Sequence, residues 1–417
     1  MSGSTSVQLA QASRLESFQR ELLDFDIFGK RTETFAKSFD DQKIFYFVNE
    51  FWTAKQRAAH PLHEVSYRAC FKPQLPRFFI ERLTKSGDLV YDPFMGRGTT
   101  LIEAAILDRI PIGCDINPLS RLLCEPRLSF PNCDEVINRL SEIPTTPLGP
   151  VRNDLLVFYH RETLDQVTAL REYLINKQKK GTLDSTDRWI RMVATNRLTG
   201  HSPGFFSVYT LPPNQALSVK SQERINNKRN LVPPRRDIVQ LIIRKTRALL
   251  TTLKATTDAR LATRGKDARF LTSSAHATSD ISANTIQLVV TSPPFLDVVN
   301  YKHDNWLRCW FNDIDPDTVE IWQFKKTTEW QHAMTAVFTE LYRILRPGGF
   351  VAFEVGEVRN GSIMLEDLVV PAGKKAGLTA EAILINDQKF TKTSHCWGVD
   401  NLRKGTNTNR IVLFSRH

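Results

Sequence analysis

Residues 88–117 read DLVYDPFMGRGTTLIEAAILDRIPIGCDIN. DLVYDP is a short apolar strand, FMGRG a turn, TTLIEAAILDR a helix and IPIGCDINP a second strand. This strand–turn–helix–strand unit opens a doubly wound, mostly parallel α/β sheet. Gly96 and Gly98 let the backbone bend tightly and approach a ligand without a Cβ in the way. The helix beginning near Thr99 then presents unpaired N–H groups. The spacing is neither the G-x-G-x-x-G dinucleotide fingerprint nor a P-loop, because no Gly-Lys-Ser/Thr follows. An acid leading the turn, Asp92, suits a ligand with an ammonium end. Asp115, at the end of the second strand, is placed to accept from two ribose hydroxyls.

Sheet-like pattern returns late in the chain. IQLVVTS is a buried strand that runs into Ser292-Pro293-Pro294-Phe295. Two prolines stop a strand and leave the carbonyls around them free to accept. Beside an aromatic ring, such acceptors suit a base turned out of its stack, with a partner for its amino group and a face to pack on. Hydrogen bonds from an exocyclic NH₂ to the Ser292 hydroxyl and the Pro293 carbonyl would favour a pyramidal nitrogen with its lone pair free. Positioning and fixed dipoles would supply most of the catalysis. No Pro-Cys pair occurs, which speaks against methylation of a ring carbon through a thiolate.

Between these blocks the composition changes. The formal charge of the chain is +11, and residues 181–270 hold 17 Lys/Arg against 6 Asp/Glu, so this window carries the whole excess. A localised basic excess is the electrostatic footprint of a nucleic-acid-binding part. Arg224, Lys228, Arg229, Arg235 and Arg236 are the candidate phosphate contacts. Four segments follow: 1–64, a helical N-terminal extension that includes FAKSFDDQKIFYFVNEFW; 65–141, the cofactor half; 142–270, an inserted basic recognition region; and 271–417, the catalytic half. Thr163 and Gln166 have capping-box spacing at the head of a helix. EWQHAMTAVFTELYRIL places Trp330, Met334, Val337, Phe338, Leu341 and Leu345 on one apolar face.

Other features are quiet. The six cysteines form no C-x-x-C pair and read as reduced thiols. His60 and His63 lack a third ligand, so no metal is expected. The chain shows neither a secretory start nor an apolar run long enough to span a bilayer.

DPFMGRGTTLIEAA, GCDINP, TSPPF, RILRPGGF and GTNTNRIVLF together resemble the amino-methyltransferases of DNA, in particular the cytosine-N4 group, in which Ser precedes Pro-Pro. FKPQLPRFFIERL resembles that family's leading helix. The resemblance implies a Rossmann-like methyltransferase fold and S-adenosylmethionine as cofactor. Its methionine end would lie against Asp92, Phe94, Gly96, Gly98 and Thr99, and its ribose on Asp115. Ser292, Pro293, Pro294 and Phe295 would hold the target base. The family's acid near the adenine ring has Asp280 as its candidate here. The implied partners are duplex DNA and a restriction endonuclease acting on the same site, in the cytoplasm on the nucleoid. Three alternatives stay open: adenine-N6 methylation of DNA, methylation of tRNA guanine at N2 (whose enzymes share DPF-x-G-x-GT), and a non-catalytic nucleic-acid-binding relic.

Overall fold

The computed structural model describes residues 2–53, 59–67, 70–210, 216–251, 253, 255–294, 301–358, 362–387 and 409–417. The strands are β1 (Glu33–Phe39), β2 (Gln42–Asn49), β3 (Leu89–Asp92), β4 (Ile110–Cys114), β5 (Arg269–Leu271), β6 (Ile286–Thr291), β7 (Leu345–Val355), β8 (Glu357–Val358), β9 (Ile363–Met364), β10 (Thr379–Asn386) and β11 (Asn409–Ser415). Nine of them form one sheet in the order β1-β2-β10-β11-β7-β6-β3-β4-β5, and β8 and β9 form a separate ribbon. From β7 across to β5 every neighbour is parallel. β11 enters antiparallel between β7 and β10. The chain is thus α/β around a large, mostly parallel sheet.

The parallel strands are apolar on both faces because both faces are covered. On one side lie α1 (Ser2–Leu23) and α2 (Gln74–Leu83), whose Phe18, Leu22, Phe78 and Phe79 pack on Val90, Leu288 and Val290. On the other lie α12 (Thr327–Ile344) and α13 (Glu366–Lys375). There Trp330, Met334, Val337, Phe338 and Leu341 meet Tyr91, Val289 and Val351, the face expected from the helical spacing. α12 ends at Ile344, and Arg346-Pro347-Gly348-Gly349 lies at the start of β7, with Gly348 at φ +82°.

The N-terminal segment departs from the all-helical expectation for 1–64. Residues 33–49 form a β1–β2 hairpin, with β2 parallel to β10 at the sheet edge. Its turn places Asp40 at φ +51°. Acidic residues tolerate that left-handed geometry, and the flanking Phe, Tyr, Ile and Val suit a pleated surface. Asn49 secures the hairpin to the segment that follows α1 by donating to the carbonyls of Phe25 (2.9 Å) and Lys30 (3.2 Å).

Between β4 and β5 the chain is helical: α3 (Thr99–Ile106) precedes β4, then come α4 (Pro118–Cys124), α5 (Cys133–Glu142), α6 (Arg161–Lys179), α7 (Ser185–Arg197), α8 (Val219–Arg229), α9 (Ile238–Leu250) and α10 (Ala255–Asp267). The last helices are α11 (Tyr301–Asn312) and the two named above. β4 and β5 are parallel neighbours, and the helices from α4 to α10 all lie between them in the chain. Leu101 and Ile102 of α3 share a core with Leu140, Leu170, Trp189, Ile242 and Phe311, so the insertion is packed onto the sheet layer. Thr163 and Gln166 form no capping box. His160 caps α6, Thr163 bonds the Arg236 backbone, and the Gln166 side chain accepts from Ile238 N. Asp237 does cap α9, accepting from Gln240 N at 3.0 Å.

Asn49→Ala should strand buried carbonyls and cost about 2 kcal/mol, read as a lower urea midpoint with an unchanged m-value.

Candidate active site

β3 and β6 are adjacent parallel strands, yet the chain leaves them toward opposite sides of the sheet. β3 leads to β4, and β6 leads to β7. At such a reversal the loops part and open a crevice above the strand ends. Register sets Tyr91 opposite Val289, so Asp92 and Thr291 end the two strands side by side. The Thr291 hydroxyl donates to Asp92 Oδ1 at 2.7 Å. Phe94 N donates to the same oxygen at 3.0 Å, and the Thr100 hydroxyl donates to the Val290 carbonyl at 3.1 Å. The glycine turn and the Ser-Pro-Pro turn are thereby joined at their roots.

The glycine turn is also anchored to β4. Gly96 N donates to Asp115 Oδ2 and Asn117 N to Asp115 Oδ1, both at 2.9 Å. Gly96 sits at φ +48°, and a Cβ there would stand 3.6 Å from the Tyr67 ring and 3.8 Å from Cys70 Sγ, so the glycine keeps this space open. Gly98 has a different job from the one its motif position suggests. At φ +76°, a Cβ on it would lie 2.1 Å from Cys124 Sγ. It lets α4 close on the turn and does not border the cavity.

That cavity, about 860 Å³ with its open mouth, is walled by both turns. Asp92, Phe94, Gly96 and Thr99 lie on one side, Asp115 and Asn117 at the β4 end, and Ser292, Pro293 and Pro294 at the β6 end. Phe295, the fourth residue expected to hold the base, lies outside the described residues. Asp280 is exposed and off the cavity; Ser274 and Ala275 occupy the wall after β5 instead.

Several walls lie outside the expected site residues, although Phe71 opens the FKPQLPRFFIERL stretch that resembles the family's leading helix. Tyr67, Cys70 and Phe71 belong to a strap before α2. Arg97, the middle residue of the Gly-Arg-Gly turn, holds that strap by donating to the carbonyls of Val65 (3.1 Å) and Phe71 (3.3 Å). Arg127, fully buried, donates to the Leu62 carbonyl at 2.8 Å and to the Arg97 carbonyl. Glu320, Ile321 and Trp322 form the outer wall, with the Trp322 ring stacked on His276 at 5.7 Å and edge-on to Phe94 at 6.2 Å. His63 is not poised for a metal: its Nε2 meets Glu103 Oε1 at 2.6 Å in the core.

Burial dominates the electrostatics. Desolvation pushes the Asp92 carboxyl up to about 7, although the Thr291 hydroxyl and Phe94 N both donate to it. Burial raises Asp115 as well. Behind the Ser-Pro-Pro turn stands Glu354 on β7. Desolvation pushes it up to about 7, against hydrogen bonds from Asn409 and from the Ser292 hydroxyl. A lone acid in the apolar strand FVAFEVG is the sequence signal for it, since a carboxylate is rarely buried without a task. The Pro294 carbonyl is already taken by Trp330 Nε1 at 2.9 Å, so only part of the acceptor set expected at this turn faces the cavity.

The five candidate phosphate contacts are divided. Arg224, Lys228 and Arg229 are exposed on α8, with Arg229 over the Tyr209 ring at 4.7 Å. Arg235 and Arg236 border a second groove beside α9. Not all of the basic window faces solvent: Arg191 is buried and bonded to Asn312 at 2.7 Å.

Residues 28–120 match the family model described as DNA methylase. Over 74 residues the chain is 39% identical to the Type II methyltransferase M.MjaII of Methanocaldococcus jannaschii, covering 18% of this chain and 14% of that one. Over 277 residues it is 24% identical to the Type II methyltransferase M.BsoBI of Geobacillus stearothermophilus, covering 60% and 52%. A tRNA (guanine(10)-N2)-dimethyltransferase of M. jannaschii is 27% identical over 124 residues, covering 30% and 34%. The chain thus spans about half or less of the length of these relatives.

Gly98→Ala should destabilise the fold by about 2–4 kcal/mol, from left-handed strain plus overpacking against Cys124. Adding Cys124→Ala should recover the overpacking part alone, as measured by denaturant melts of the three variants.

Proposed function

We propose that this chain is a DNA amino-methyltransferase, transferring a methyl group to the N4 amino nitrogen of cytosine in duplex DNA, with the target base turned out of the helix; the match of residues 28–120 to the DNA methylase family model supports this reading. In this reading the chain protects a short sequence from a restriction endonuclease that cuts the same site. The observation that carries it is the meeting of Gly96 and Ser292 on one cavity, with the Ser292 hydroxyl held from behind by the buried Glu354.

The cavity suits S-adenosylmethionine, the family's cofactor. Gly96 leaves the space that a Cβ would fill. Each Asp115 oxygen accepts one backbone N–H and keeps a lone-pair site for a ribose hydroxyl. Asp92, Phe94 and Thr99 line the end where an amino-acid moiety would lie. When bound, this cofactor supplies an electrophilic methyl on a sulfonium.

The chain's own residues do the rest. Because the Ser292 hydroxyl donates to Glu354, its lone pairs are free to accept one amino N–H of the base. The Pro293 carbonyl accepts the other. Two acceptors out of the ring plane favour a pyramidal nitrogen whose lone pair is no longer delocalised, and such fixed dipoles do most of the work in a water-poor site. Ser292 Oγ can take the proton that a methylated amino nitrogen would have to lose, its own proton passing to ionised Glu354. Trp330, bonded to the Pro294 carbonyl, keeps the turn rigid. Ser before Pro-Pro favours cytosine over adenine. The partial likeness to the tRNA enzyme supports guanine N2 in RNA as a second reading.

Expression in a host free of DNA methylation, followed by base-resolved sequencing, should find N4-methylcytosine at one short sequence. N6-methyladenine would shift the target to adenine. Unmodified DNA with methylated tRNA would favour the second reading, and DNA binding without methylation of any substrate would leave a relic. Ser292→Ala should lower turnover by about 10²–10³-fold with little change in duplex affinity, read by labelled-methyl transfer and by titration. Ionised Glu354 is the form that accepts from Ser292, so turnover should climb as pH rises through about 7. Glu354→Gln should slow turnover and flatten that limb of the profile.

A further inference from the structure

A second groove runs along α9, bordered by Arg235, Arg236, Gln240, Arg244 and Arg247, with Pro203 at one end. α9 is amphipathic. Ile238, Ile242, Thr246 and Leu249 are buried, while Gln240, Arg244 and Arg247 are exposed at i, i+4 and i+7. Those three side chains span about 10 Å of helix axis at 1.5 Å per residue.

Several cations of the insertion have carboxylate partners. Arg139 meets Asp184 and Asp187, Arg171 meets Asp313, and Lys245 meets Glu64. In the groove Arg235 meets Glu162, and the carboxylate of Asp237 is engaged in capping α9. Arg244 and Arg247 have no ion pair among the described residues, and the buried Nε of Arg236 has no hydrogen-bond partner. Three guanidinium groups without an ion pair on one concave surface suit an external anion. Guanidinium forks match phosphate oxygens in geometry as well as charge.

The groove is also wired to the cavity. Lys245 of α9 meets Glu64 at 2.6 Å, and Asn196 accepts from Ser66 N at 3.1 Å. Glu64 and Ser66 belong to the strap whose Tyr67, Cys70 and Phe71 wall the active cavity.

We infer that this groove grips the sugar–phosphate backbone of duplex DNA, through Arg236, Arg244 and Arg247. The inference rests on the reading of the chain as a DNA-methylating enzyme. It assigns backbone contact to α9 and its leading segment, and not to the arginines of α8.

The test is equilibrium binding of the full chain to a labelled duplex of arbitrary sequence, across a salt series. The wild type, Arg244→Gln/Arg247→Gln and the control Arg224→Gln/Lys228→Gln are compared, with cofactor titration and thermal melting as checks on the fold. The groove variant should bind at least about tenfold more weakly, and its log K against log salt slope should be shallower by about 2, one phosphate lost per arginine. Cofactor affinity and melting should be unchanged, and the control should bind as the wild type does. A groove variant with wild-type affinity and slope overturns the inference while leaving the methylation reading intact. A wild type that does not hold duplex DNA even at low salt overturns both. Tighter binding of an RNA hairpin than of the duplex, lost in the same variant, overturns the assignment to DNA.

Discussion

Everything at the cavity depends on a short hydrogen bond between two strand ends. Thr291 donates to Asp92, and in doing so fixes the end of β6 against the end of β3. The residues that follow each strand then have no freedom in where they start. One turn folds toward β4, the other toward β7, and the space between them is the crevice. The interaction is strong because both groups are buried and the carboxylate gathers several donors at once. Its cost is the desolvation of Asp92, which the surrounding hydroxyl and amide donors offset only in part.

A second layer of buried charge supports the first. Arg97 and Arg127 reach carbonyls in the strap and close a wall that the sheet alone would leave open. Neither has a carboxylate in this set of bonds; they are satisfied by backbone oxygens that no strand or helix uses. This explains how an irregular segment can sit against a functional cavity, since a loop without secondary structure must find its hydrogen bonds elsewhere. Glu354 follows the same logic on the far side. It is an acid in an apolar strand, hydrogen-bonded by Asn409 and by the serine in front of it.

Much of the fold was legible in the chain itself. The apolar strands around the glycine turn, the buried run before Ser292 and the apolar face of α12 have strong local periodicity, and local periodicity survives tertiary packing. The hairpin at 33–49 was not legible as such. Its aromatic residues suit a helix face or a sheet edge equally, and only β10 beside it decides the matter. The insertion is basic in composition, yet α7 is largely buried. Its arginines and aspartates pair internally, which composition cannot reveal.

The sequence by itself determined the two turns, the acids at the ends of β3 and β4, and the basic insertion, because each is a local pattern of residue types with one plausible geometry. Only the tertiary structure decided that Gly98 serves α4 and not the cavity, that Glu354 backs Ser292, and that the unpaired arginines gather beside α9. Those are contacts between residues distant in the chain. Their existence depends on how strands are ordered and layers are packed, which no local pattern encodes.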